Sequence, residues 1–233
     1  MKVLMINGTM RKGSTYHIGK MLIDDLGAQA SELFLPEDMP NFCTGCATCF
    51  MKGEEHCPHR EYTARIEQLM DEADLIILTT PVYVFHSSGQ MKALLDHFGY
   101  RWMVHRPSGT MFTKQAIAIS TAAGGGNRSA LKDITHSFFY WGVGKIYTYG
   151  KSVRALGWDE VSDKNKQKIA RSVAKLARKI VRRNGDIVPS FKVRALFHIM
   201  RGVYKKTGMN PLDEAYWKNS GWLKKARPWK TNA

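Results

Sequence analysis

All four cysteines of this chain lie between positions 43 and 57, spaced Cys43-x2-Cys46-x2-Cys49-x7-Cys57. A thiolate is both a soft metal ligand and a nucleophile, so such a group has three chemistries open to it. Three thiolates at compact spacing plus one distal thiolate can wrap a cubane 4Fe-4S cluster. The same four can hold zinc in a tetrahedron. Left without metal, they are redox-active thiols. A secreted disulfide scaffold spreads its cysteines along the chain, whereas clustering points to metal or redox chemistry in a reducing compartment. Hydrolytic chemistry has no such grouping. His86, His97, His105, His136 and His198 are scattered, and neither G-x-S-x-G nor H-E-x-x-H occurs. No side chain stands out as a catalytic acid or base.

Three further stretches are rich in glycine, hydroxyls or aromatics: Asn7 to Thr15, Pro81 to Gly89 and Thr121 to Asn127. The first has the makings of a phosphate cradle, with Gly8 and Thr9 after an apolar run and Ser14 or Thr15 available to cap a helix. It is not the ATP-type loop, because Gly8-x4-Gly13 is followed by Ser14 rather than Lys, and G-x-G-x-x-G is absent after the first apolar run. What remains is a hydroxyl-rich loop suited to flavin mononucleotide (FMN), to which Arg11 adds a charged donor. In the second stretch Tyr83 can stack on a planar ring. In the third, consecutive glycines let backbone N–H groups approach a ligand.

The elements that must position these loops follow from hydrophobic period. Apolar runs at 2–6, 33–35, 74–81, 115–120 and 146–153 read as strands, and 14–26, 62–73, 90–98 and 130–139 carry helical spacing. Strands alternating with helices predict a parallel sheet covered on both faces, with ligands outside the carboxyl ends of the strands. The loops after strands one, three and four are the three just described. The segments 159–183 and 191–206 are two further helices, followed by a Trp-rich tail.

Of 233 residues, 44% are hydrophobic and 24% charged, which excludes disorder, collagen and coiled coil. Residues 1–150 carry 14 cationic and 14 anionic side chains and residues 151–233 carry 21 and 6, so the second part holds the whole net charge of +15. Without a nucleic-acid module, that end reads as a solvated basic face. No apolar run has the length of a membrane span and no secretory leader is evident, so a cytoplasmic protein is expected.

The segments NGTMRKGST, TPVYVFHSSGQMKALLDHF and STAAGGGN resemble the flavodoxin-like NAD(P)H-dependent FMN reductases, including the iron-sulfur flavoproteins. The resemblance spans about residues 1–153. It implies a flavodoxin-like, doubly wound α/β fold with a five-stranded parallel sheet. It implies FMN with its phosphate on the loop of Thr9, Met10, Arg11, Ser14 and Thr15. The isoalloxazine would lie against Pro81, Val82, Tyr83 and Val84 and against Thr121, Ala122, Gly124, Gly125 and Gly126. It also implies NAD(P)H as donor and a quinone, flavin or nitro compound as small acceptor. Cys43, Cys46, Cys49 and Cys57 resemble the four-cysteine motif of the iron-sulfur flavoproteins, although related reductases keep thiols here with no cluster. An electron carrier without its own small-molecule substrate is the alternative reading. The expected organisation is an FMN-binding domain over 1–188 and a basic, Trp-rich helical extension over 189–233. In the extension Phe191, Ala195, Leu196, Ile199, Met200 and Val203 recur at helical spacing, with large residues from Leu212 to Trp229 beyond them. That pattern predicts an ordered tail packed over the FMN side of the fold or over a second subunit, in a homo-oligomer.

Overall fold

The expected strands form one parallel sheet in the computed structural model, which describes residues 1–230. They are β1 (Val3–Asn7), β2 (Ala30–Phe34), β3 (Leu75–Pro81), β4 (Gln115–Ala122) and β5 (Lys145–Ser152), in the order β2-β1-β3-β4-β5. Residues of β1, β3 and β4 are buried almost throughout, as strands covered on both faces must be. The edge strand β5 is only half-buried and carries Lys145 and Lys151, which discourages pairing with another edge.

Helices cover both faces. Helix α1 (Ser14–Asp25) and α6 (Asp163–Val181) lie on one, burying Ile18, Leu22, Ile169 and Val173 against Met5, Ile77 and Ile117. The other face carries α3 (Arg60–Glu72), α4 (Gly89–His97) and α5 (Asn127–Tyr140), whose Ile66, Met70, Leu94 and Phe138 meet Leu4, Ile76 and Ala116. A single-turn α2 (Thr48–Met51) lies inside the cysteine segment. The register pairs Asn7 with Thr79 and Pro81 with Thr121, so the loops after β1, β3 and β4 leave the sheet side by side. The order reverses between β1 and β3, the switch point where doubly wound sheets bind ligands.

The extension is helical, as α7 (Phe191–Lys206) and α8 (Pro211–Asn219), and makes a third core with Met103 and Phe112 of its own chain. This corrects two expectations. The tail does not lie over the FMN side of the fold, since it packs on Met103, on Phe112 before the start of β4, and on Phe139 at the end of α5, away from the carboxyl ends of the strands. The buried stripe of α7 is Val193, Phe197, Met200 and Tyr204, while Phe191 and Ile199 face solvent. Both stripes are apolar at helical spacing. The aromatic one wins because Phe197 and Tyr204 meet Trp217 at centroid distances of 5.0 and 5.1 Å. Trp217 is fully buried and its indole N–H donates to the His105 carbonyl at 2.7 Å. Trp217→Ala is expected to destabilise the chain by about 3–5 kcal/mol, the usual cost of an emptied aromatic site. Urea denaturation followed by far-UV circular dichroism measures it.

Candidate functional site

The loop from β1 to α1 is held by packing that only glycine allows at position 8. A Cβ there would sit 2.8 Å from the Thr79 carbonyl oxygen and 2.9 Å from Ser88 Oγ. Without it, Gly8 N–H donates to Thr79 O at 2.7 Å, and Ser88 Oγ donates to Gly8 O at 2.6 Å. Ser88 is also the N-cap of α4, so the first and second loops are tied through one hydroxyl. The cap of α1 is Gly13, not Ser14 or Thr15, and no side chain caps it. Ser14 and Thr15 are the first helical residues, and neither hydroxyl caps the helix. The first N–H groups of α1 lack intrahelical partners, and no acidic residue stands in the first turn. An uncapped helix start with hydroxyls around it is a site for an anion.

A cleft of about 190 Å³ opens at this point. Of the expected residues, it is lined by Thr9, Arg11, Ser14, Thr15, Pro81, Val82, Tyr83, Thr121 and Ala122. Thr15 Oγ1 and Thr121 Oγ1 share a 2.5 Å hydrogen bond across its floor. The helix end is polar, while Pro81, Val82, Tyr83 and Ala122 make the other end apolar and aromatic. Met10, Val84, Gly124, Gly125 and Gly126 do not line it. Met10 and Val84 face solvent, Val84 at 93% exposure. Gly126, at φ +95°, packs beneath the second loop, where a Cβ would meet Val82 Cγ1 at 2.6 Å and the Phe85 backbone at 3.1 Å. Gly126 therefore lets the third loop close on the second, whereas a Cβ at Gly124 would meet nothing.

The cleft has a wall that sequence reasoning did not single out, from Val153, Ala155 and Leu156 after β5. Arg11 Nη2 donates to the Leu156 carbonyl at 2.5 Å and ties that wall to the first loop. The carboxyl-end rule applies to β5 as much as to its neighbours, and would have found it. The rim is strained and apolar. Val84 and Phe85 hold φ of +48° and +66°, a costly conformation for β-branched and aromatic residues. The turn is closed by reciprocal backbone bonds between Tyr83 and His86, at 2.9 and 3.0 Å.

The four cysteines line one small cavity of about 100 Å³, with Phe50, His59 and His97 among its other walls. None of the four is paired in a disulfide. Among the described residues, no three Cys, His, Asp or Glu side chains converge as they would around a single ion. Burial, and then the neighbouring Cys57, Cys43 and Cys46, push the Cys49 thiol up to about 11. Hydrogen bonds from the Thr48 side chain and backbone push exposed Cys46 down. Thiolate is the nucleophile, so iodoacetamide at pH 8 should label Cys46 early in metal-free protein. Cys49, with about one thiolate in a thousand, should be last. Peptide mass spectrometry over time reads the order, and early labelling of Cys49 would contradict it. The cavity includes Asp96 and His97 at the end of α4, whereas the cleft lies just before its start. The helix separates the two sites by about 13 Å along its axis.

The sequence profile of the NADPH-dependent FMN reductases matches residues 1–152. The chain belongs to that family. Its members are oxidoreductases working with FMN and NAD(P)H, and the fold above is the flavodoxin-like fold of such reductases. An iron-sulfur flavoprotein of Archaeoglobus fulgidus is 29% identical over 188 residues, covering 76% of this chain and 79% of that protein. A NADPH azoreductase of a Bacillus species is 30% identical over 127 residues, covering 54% of this chain and 61% of its own. In structure, an azoreductase of Bacillus anthracis superposes with a TM-score of 0.59 at 13% identity, over 77% of this reductase and 99% of that one. The family match ends before α6, and the extension lies beyond it. No helix among the described residues is long and apolar enough to cross a membrane.

Proposed function

We propose that this reductase takes electrons from NAD(P)H onto FMN held in the cleft and delivers them to a small acceptor: a quinone, a free flavin or a nitro compound. The observation that carries the reading is the polarity gradient of the cleft, running from the uncapped start of α1 to the apolar rim at Tyr83. FMN has the same gradient, with a dianionic phosphate at one end and a flat ring at the other. When bound, it supplies the ability to accept electrons in pairs from a nicotinamide and pass them on. The residues do the rest. Ser14, Thr15 and the α1 backbone donate to the phosphate, Arg11 adds charge, and Thr9 closes the loop over it. Pro81 to Tyr83 and Ala122 provide the surface against which the ring lies. The rim of Met10, Tyr83, Val84, Phe85 and Leu156 is exposed and apolar, the kind of surface a second copy of the chain would cover. This supports a homo-oligomer built at the cleft rather than through α7, whose aromatic stripe is already buried.

The cysteine segment fits a cubane cluster. Zinc draws its four sulfurs to about 2.3 Å from one point, whereas a cubane holds each thiolate on a separate iron. Four thiols around one cavity are the donor set a cubane takes. Burial, and then its three neighbours, raise the Cys49 thiol, so a cation in the cavity would favour its thiolate. The second reading, an electron-transfer protein with flavin and cluster but no small substrate, draws its support from the same four cysteines.

Anaerobic turnover separates the readings. Bleaching of bound flavin by NAD(P)H, followed by reoxidation with a quinone or nitroarene over many turnovers, is expected of the enzyme. Flavin that stays oxidised with NAD(P)H, yet exchanges single electrons with a reduced carrier protein, would favour the carrier.

A further inference from the structure

The basic extension and the cysteine segment are far apart in sequence but joined in space. Segment 103–107 stands between them. The extension grips it by the Tyr204 hydroxyl on Val104 O at 2.8 Å, the Tyr216 hydroxyl on Pro107 O at 2.7 Å, and the Trp217 indole on His105 O. In turn, Arg106 reaches into the cysteine segment. Its guanidinium donates to the Cys49 carbonyl and, at 2.9 Å, to Glu54 Oε2. The counter-charge comes from Asp213 of α8, which is 1% exposed, pairs with Arg106 and accepts from His105 Nδ1 at 2.9 Å. A direct tie also exists: Asn210, the N-cap of α8, donates its side-chain amide to Phe50 O at 2.8 Å.

Two consecutive carbonyls, those of Cys49 and Phe50, are therefore held from the extension, one through Arg106 and one by Asn210. The first turn of α8 supplies both. These carbonyls belong to the single-turn α2, too short to hold itself by helix propensity. The contacts are polar, directional and mostly part-buried, unlike the apolar packing that joins α7 to Met103 and Phe112.

The geometry points to the C-terminal extension as a strap that positions the cysteine segment, with Asp213, Arg106 and Asn210 as positioning residues that fix the Cys49–Phe50 backbone. The strap deepens the reading of the cysteine segment given above and rests on it for its functional meaning, though not for its test. Arg106 answers to three acceptors at once from three nitrogens of a planar fork, a spread that a lysine ammonium, donating from a single atom, does not reproduce. Asp213 keeps the fork aimed, and without it Arg106 would be a buried cation with Glu54 as its remaining carboxylate.

The test uses the full chain and three single variants, Asn210→Ala, Arg106→Lys and Asp213→Asn. Amide hydrogen exchange is followed across residues 47–57 and, as an internal control, across 13–17 at the FMN loop. Iron content and FMN affinity are measured on the same preparations. Each variant is expected to speed exchange at 47–57 by about tenfold, as a lost tie in a locally opening segment does, while leaving 13–17 and FMN affinity unchanged. Where the chain carries iron, its loss to a ferrous chelator should quicken in step. Asn210→Ala removes no charge and folds even if Asp213→Asn does not. Unchanged exchange at 47–57 in the folded variants would overturn the strap, as would equal acceleration at 13–17. An iron-free chain that still shows the local acceleration would sink the cluster and leave the strap standing.

Discussion

The Arg11→Ala, Ser14→Ala double variant is expected to bind FMN about a hundredfold to a thousandfold more weakly than the unchanged protein, while binding riboflavin almost as well. FMN and riboflavin share the ring and the ribityl chain, so their difference isolates the phosphate. Hydrogen bonds to a charged group contribute about 1.5–3 kcal/mol each. Losing two independent bonds would cost about 3–6 kcal/mol, and the N–H groups of α1, still in place, hold the loss to the lower part of that span, which is the stated range. Arg11 has a second role, holding the Leu156 carbonyl, and its loss will loosen that wall of the cleft for both ligands. The riboflavin titration subtracts this contribution. Flavin fluorescence quenching measures both affinities. Equal weakening of the two would mean that the loop shapes the cleft without binding phosphate. Unchanged FMN affinity would remove the phosphate from this loop altogether.

The strand pattern was legible because β1, β3 and β4 are buried on both faces and spell continuous apolar runs, such as Leu75 to Leu78. The loops could then be found from the carboxyl-end rule alone. What sequence could not give was direction. Thr121, near the end of β4, and Gly124, in the loop that follows, stand three residues apart, yet Thr121 lines the cleft and Gly124 does not. Only the pairing of Pro81 with Thr121, and the way Gly126 tucks beneath Val82, decides which part of the loop meets a ligand. Val84 is a similar case. Its neighbour Tyr83 lines the cleft, but a left-handed backbone at 84 turns the next side chain into solvent. Nothing local in a Tyr-Val-Phe run announces such a turn.

Helix α7 shows the limit in another form. An apolar residue at nearly every third or fourth position gives two overlapping stripes, and period alone does not choose between them. The choice was made by Trp217 and Trp222, which arrive from elsewhere in the chain. The ties from Asp213 and Asn210 to the cysteine segment span more than a hundred residues and leave no periodic trace. They follow from the tertiary fold alone.

Protein purified under strict anaerobiosis is expected to carry about four irons per chain and to show a broad brown absorbance beneath the resolved flavin bands. Cys49→Ser should remove nearly all of that iron and leave the flavin bands in place. Cys49 is the most telling choice. It is half-buried, its thiol is pushed up to about 11 by burial and by its three neighbours, and its carbonyl is held by Arg106. A thiol so placed gains little from ionising in free protein and much when a cationic cluster core takes its proton's place, so metal binding must release protons as it proceeds. Iron uptake by the metal-free chain should accordingly weaken as pH falls, because each ligand thiolate competes with a proton. Serine keeps the volume but is a poor ligand for iron in such a set, and the flavin cleft at the other end of α4 shares no residue with the cysteine cavity. Elemental analysis and the visible spectrum read both variants. One zinc per chain in place of iron would make the four cysteines a structural site, and iron-free protein with all four thiols titratable would make them redox thiols. Loss of flavin together with iron in Cys49→Ser would show that the two sites are not independent, against the separation that α4 imposes.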